Sequence, residues 1–240
     1  MKIRLFTIPN LLTLLNLFCG ALATVHALVF NDLTAAFCWI ALAAVFDFCD
    51  GLSARLLHIP SPIGIELDSL ADDISFGLAP AAILYTLYQR MPGLWIGTAC
   101  AWGDRLGWIV FVFSACAALR LAKFNVDDTQ HTEVCGLPTP AATLLCASVA
   151  VLTERCGVTM LREWVLVLAV TTALLMISPI RMFSLKFNGF GWRGNELRYG
   201  FLLLCALLLI GLRAFGIPAI VALYVLISTV RWLCARKAEK

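Results

Sequence analysis

Apolar residues along this chain come in runs of about 20, not in the alternation of a half-buried strand or the one-sided stripe of a soluble helix. The runs fall at about 8–30, 33–54, 69–88, 106–125, 139–156, 162–180, 198–213 and 216–233, with short polar or Gly/Pro-containing breaks between them. Each is long enough, or nearly so, to cross the hydrocarbon core of a bilayer. The pattern predicts an all-α integral membrane protein: a polytopic bundle of about eight transmembrane helices, forming one membrane-embedded domain over residues 1–240. The last two runs are short enough for a re-entrant pair, but Gly216 and Pro218 suit a tight turn between two helices. The stretch from Met91 to Gly103 is apolar but broken by Pro92, Gly93 and Gly97, and is expected as a loop near the interface.

Composition strengthens this picture. Of the 240 residues 61% are hydrophobic and 14% charged, and the mean hydropathy of +0.90 is out of place in a water-soluble domain. A net charge of +3 gives no reason to expect a nucleic-acid partner. The ten cysteines are scattered singly through apolar stretches without a Cys-x2-Cys pair, so they read as small packing residues. Lys2 and Arg4 before an apolar run, with Ala21-Leu22-Ala23 inside it, imitate a cleavable secretory signal. The run continues to about Phe30 and many spans follow, so the segment is expected to be retained.

An even number of spans puts both ends on one side. That side receives thirteen basic residues: Lys2, Arg4, Arg55, Arg120, Lys123, Arg181, Lys186, Arg193, Arg198, Arg231, Arg236, Lys237 and Lys240. The other receives five: Arg90, Arg105, Arg155, Arg162 and Arg213. The positive-inside rule therefore predicts a multi-pass protein of the cell membrane with both termini, and the loop around residues 55–66, in the cytoplasm.

Four aspartates break the apolar pattern. Asp47 and Asp50 close the second run and Asp68 and Asp72 open the third, where an uncompensated charge costs several kcal/mol. At about 100° per residue the first two lie roughly 60° apart on one helix and the second two roughly 40° apart on the next. Helices joined by a short loop pack antiparallel, so the acidic faces can meet around one small volume. Cations make that tolerable, and carboxylate ligation suits a hard ion, Mg2+ or Mn2+, with four carboxylates enough for two. Gly51 and Ala54 share the face of Asp47, Gly64 lies between the two acidic pairs, and small side chains there leave room for a ligand. Arg55 stands at the edge of that face with a fork of donors suited to phosphate. A metal site beside a slot and an arginine reads as a diphosphate-handling site. Asp73, about 140° from Asp68, is expected as a lip residue without a catalytic part. Glu66 and His58 are expected as loop groups and not ligands.

Written out, Asp47-x2-Asp50-Gly51-x2-Ala54-Arg55-x8-Gly64-x3-Asp68-x3-Asp72 resembles the complete fingerprint of the CDP-alcohol phosphotransferase family, with residues 47–72 as the active-site segment. The stretches Ile8 to Gly20, Glu66 to Pro80, Cys116 to Asn125, Gly136 to Pro140 and Ser178 to Arg181 are similar to its phosphatidylserine synthase branch. Asp73, where an uncharged residue is usual, and Cys135, before the Gly-Leu-Pro turn, depart from that pattern. The resemblance implies a six-helix core with two further C-terminal helices, two divalent ions held by Asp47, Asp50, Asp68 and Asp72, and CDP bound around Gly51, Ala54, Arg55 and Gly64. It also implies Asp72 as general base, CDP-diacylglycerol as donor, L-serine as acceptor, phosphatidylserine and CMP as products, and a homodimer. The serine carboxylate, or a lipid phosphate, needs a cationic or multi-donor site, for which Arg120, Lys123 and Asn125 are the candidates; a plain headgroup anchor is the simpler use of such a cluster. Thr139, opening the fifth run after the Gly136 turn, is expected as a helix N-cap. A sister enzyme using glycerol 3-phosphate or an inositol compound would need more basic residues near the aspartates. An ion-coupled transporter would spread its acidic groups along a path instead of gathering them at one level.

Overall fold

Among the described residues the apolar runs become eight helical segments. The computed structural model describes residues 6–58, 62–93, 103–126, 134–182 and 196–238. Its helices, named first to eighth below, are Ile8–Leu28, Leu33–Leu56, Pro62–Arg90, 103–126, Thr139–Cys156, Arg162–Ile177, Glu196–Leu212 and Gly216–Ala238. Among the described residues five segments, in the first, second, third, fourth and eighth helices, are by themselves long and apolar enough to cross a membrane. The chain is thus an all-α, multi-pass membrane protein. Most of the expected loop from Met91 to Gly103 lies outside the described residues, as do Lys2, Arg4, Lys186, Arg193 and Lys240.

The third helix is the axis of the bundle. Every residue from Ala79 to Leu84 is buried, as are Leu87 and Tyr88. It starts at Pro62, earlier than its apolar run, because proline suits the first turn of a helix, where its missing N–H has no partner to lose. Glu66, expected in a loop, is therefore an exposed helical residue, whereas His58 does fall in the connection, in a left-handed conformation (φ 52°) just past the end of the second helix. Midway, Asp73–Leu78 widens into a π-helical turn, in which the Ala79 N–H reaches back to the Ile74 carbonyl. Thr143 of the fifth helix donates to the Phe76 carbonyl in that turn at 2.7 Å.

Small residues let neighbouring helices close on this axis. A Cβ on Gly20 of the first helix would collide with Ser75, so glycine is what allows the first helix to lie against the π turn. Buried alanines from the fifth and sixth helices, Ala142, Ala147, Ala150, Ala169 and Ala173, complete the core. Outside, Phe18, Phe48, Leu70, Trp108, Trp164, Leu203 and Ile210 are exposed, as expected of side chains that meet lipid.

The two ends of the bundle are closed differently. At one end Gly136 (φ 76°) turns the chain against the Met176 carbonyl, and Val134 and Cys135 pair antiparallel with Met182 and Arg181. At the other, Glu154 of the fifth helix accepts from the Thr34 N–H (2.7 Å) and hydroxyl (2.6 Å) at the start of the second helix and pairs with Arg90 of the third at 2.9 Å.

Candidate active site

The second helix ends, and the third begins, on the same end of the bundle, so the last turns of one face the first turns of the other. One carboxylate oxygen from each of Asp47, Asp50 and Asp68 lies within 4.8 Å of the other two. Asp50 is almost fully buried, Asp47 and Asp68 are half-buried, and Asp68 Oδ1 is buried without a hydrogen-bond partner. A cluster of hard oxygen donors with an unsatisfied buried oxygen fits a divalent cation of the Mg2+ or Mn2+ kind. Asp72 lies one turn deeper than Asp68, half-buried, and its Oδ1 is engaged elsewhere, by Asn16.

Gly51 and Ala54 are half-buried on the last turns of the second helix, and Gly64 is half-buried in the first turn of the third. Arg55 is exposed, with its Nε donating to the Gly51 carbonyl at 2.9 Å. That bond folds the guanidinium back along its own helix and over the glycine.

The first helix, whose Ile8-to-Gly20 stretch carries part of the resemblance but no expected site residue, supplies a third wall. Thr13 Oγ1 donates to Asp50 Oδ2 at 2.6 Å, and Asn16 Nδ2 donates to Asp72 Oδ1 at 3.1 Å. Ser75 Oγ in turn donates to the Asn16 carbonyl at 2.9 Å, tying the first helix to the third beside the site. The signal was present: Asn10, Thr13, Asn16 and Gly20 sit at helical spacing on one face of an otherwise apolar run, and the three polar ones are buried.

The candidate acceptor residues are brought to the same end but not into one cluster. Arg120 is partly buried, donates through Nη1 to Thr139 Oγ1 at 2.7 Å, and keeps its Nε buried without a partner. It lies within electrostatic reach of Asp72 and of Tyr224 on the eighth helix. Arg120 and Lys123 line a cavity of about 380 Å3 with Leu119, Phe124, Cys135, Met176, Ile177 and Ser178. Asn125 is exposed and donates to Ser69 Oγ at 2.8 Å, bridging the fourth helix to the third.

Two expectations are corrected. Thr139 is not an N-cap: Pro138 holds the cap position, and the threonine is fully buried in the first turn with its hydroxyl occupied by Arg120. Asp73 is not at an open lip. It begins the π turn with Oδ1 buried, and a Cβ on Gly77 would stand 2.7 Å from that oxygen. The wheel angle of about 140° does set it apart from Asp68, but the face it occupies is one that Gly77 and Ala117 close over.

Residues 6–175 match the family described as CDP-alcohol phosphatidyltransferase. Curated relatives include proteins named CDP-diacylglycerol–serine O-phosphatidyltransferase. That of Bacillus subtilis is 36% identical over 136 residues, 56% of this chain and 70% of its own length. That of Helicobacter pylori (strain ATCC 700392 / 26695) is 31% identical over 238 residues, 95% of this chain and 92% of its own. The one from Methanocaldococcus jannaschii is 33% identical over 178 residues, 74% of each chain.

Proposed function

We propose that this chain, which belongs to the CDP-alcohol phosphatidyltransferase family, transfers the phosphatidyl group of CDP-diacylglycerol to the hydroxyl of L-serine, releasing CMP. The observation that carries the reading is the meeting of Asp47, Asp50 and Asp68 from two antiparallel helices beside Gly51 and Arg55. Serine as acceptor is supported by the name shared by relatives that cover nearly the whole chain and by the cationic cavity at Arg120 and Lys123.

Asp47, Asp50 and Asp68, with Asp72, are the residues that would hold one or two divalent ions. Bound there, the ions supply charge neutralisation and Lewis-acid polarisation of a diphosphate. Gly51, Ala54 and Gly64 leave a slot in which the CDP moiety lies close to backbone, and Arg55, released from the Gly51 carbonyl, donates to a phosphate. Asp72, with Oδ1 held by Asn16, takes the serine hydroxyl proton on its other oxygen. The serine oxygen attacks the phosphorus bearing the diacylglycerol, its bond to the CMP oxygen breaks, and CMP leaves with that electron pair. Arg120, partly buried and one helix away from Asp72, receives the serine carboxylate and sets the hydroxyl toward the base. The excess of basic residues expected on this end supports a site and termini on the cytoplasmic side, where serine and CDP-lipid headgroups are reached.

The test is CMP release by the purified protein from CDP-diacylglycerol with Mg2+ or Mn2+ and a panel of serine, glycerol 3-phosphate and inositol compounds. Serine should give the fastest release, and chelation with EDTA should abolish it until metal is restored. Release with serine no faster than with buffer alone overturns the acceptor, and undiminished release in EDTA overturns the metal.

A further inference from the structure

We infer that Asn16 on the first helix is a positioning residue for Asp72, aiming its carboxylate at the acceptor hydroxyl. The inference rests on the reading of Asp72 as the base and goes beyond it, since nothing in the Asp-Gly-Ala-Arg-Gly-Asp fingerprint includes the first helix.

Three observations carry it. First, Asn16 is fully buried, yet one side of its amide is unsatisfied: Nδ2 bonds Asp72 Oδ1 at 3.1 Å, whereas Oδ1 has no partner. A buried amide with one unmet oxygen is costly in a helix interface that leucine or alanine would fill without that cost. The side chain is therefore spent on a single bond, and that bond goes to the carboxylate that the proposed chemistry uses. Secondly, the residue that makes this bond is itself fixed. Ser75 donates to its carbonyl at 2.9 Å, and Gly20, one turn on, permits the contact between the first helix and the π turn that begins directly after Asp72. Asn16 and Asp72 thus belong to one rigid junction. Thirdly, an amide N–H donor fits an ionised carboxylate and leaves the other oxygen of Asp72 open, so it orients the group without adding a charge to the metal cluster. Thr13 treats Asp50 in the same way from the same helix face, at 2.6 Å.

A merely space-filling role and a positioning role separate on two substitutions. Asn16→Asp keeps the shape but removes the donor and sets a like charge against Asp72; Asn16→Ala removes donor and volume. Both are compared with the parent for melting temperature in detergent and for kcat and KM, using whichever acceptor releases CMP with the unsubstituted protein. Positioning predicts that Asn16→Ala loses roughly tenfold to a hundredfold in kcat with both KM values within about twofold. It predicts that Asn16→Asp, despite its shape, loses more. If the alanine variant does not fold, the aspartate variant carries the test. A kcat within twofold of the parent in a folded variant, an aspartate variant more active than the alanine one, or failure of both to fold overturns the inference. A parent that releases no CMP with any alcohol overturns the proposed function itself, which is a distinct result.

Discussion

Asp72 and its neighbours show how position divides work among identical side chains. Asp47, Asp50 and Asp68 present oxygens to one another, with Asp50 also accepting from Thr13, while Asp72 stands outside that trio with one oxygen held by Asn16. Asp72→Asn preserves volume but cannot accept a proton, so CMP release should fall by a factor of about 10²–10⁴ while the variant remains folded, as CMP assays and detergent melting curves would reveal. Turnover near the parent's would remove Asp72 from the role of base. Arg120 is open to a sharper comparison. Its fork already spans Thr139 at 2.7 Å, and its Nε is still unused. Arg120→Lys keeps charge without the fork and should raise the KM for serine roughly tenfold, about 1.4 kcal/mol, while leaving the KM for CDP-diacylglycerol near its parent value. An unchanged serine KM would return Arg120 to the role of headgroup anchor.

At the scale of helices, the site depends on contacts made at its far end. Glu154 accepts from the Leu33 N–H at 3.3 Å and the Thr34 N–H at 2.7 Å, satisfying two donors at the start of the second helix, and pairs with Arg90 at the end of the third. The two helices that carry the aspartates are thus clasped to the fifth at the end opposite the aspartates. Glu154→Ala leaves those donors and Arg90 without their carboxylate and should cost about 1–2 kcal/mol, read as a lower melting temperature. Because the clasp lies a full helix length from the chemistry, KM values should hold in the fraction that stays folded. The π turn at Asp73–Leu78 is the other element-level device: it changes the facing of everything after Asp72, so that Ser75 meets the first helix and the Phe76 carbonyl meets Thr143.

For the whole molecule the question is which end faces the cytoplasm. Arg90, Arg155 and Arg162 gather at the end with Glu154, while Arg120, Lys123 and Arg181 share the end with the aspartates. The arrangement predicts that Cys156, exposed at the end of the fifth helix, reacts from outside the cell with a membrane-impermeant maleimide. The experiment uses a variant in which it is the only cysteine, and labelling only after the membrane is opened would invert the proposed topology.

Helix number, approximate spans and the acidic fingerprint were legible in the sequence because each depends on local information: run length against bilayer thickness, and the 3.6-residue period that gathers Asp47 with Asp50 and Asp68 with Asp72. The tertiary structure alone decided what lies across from those faces. Asn16 and Thr13 become site residues only because Gly20 brings the first helix against Ser75, and Thr139 becomes a partner of Arg120, not a cap, because Pro138 precedes it at the helix start. Asp73 has a buried Oδ1 because Ala117 of the fourth helix closes against Gly77 beside it, a contact between two helices that is written in neither run alone.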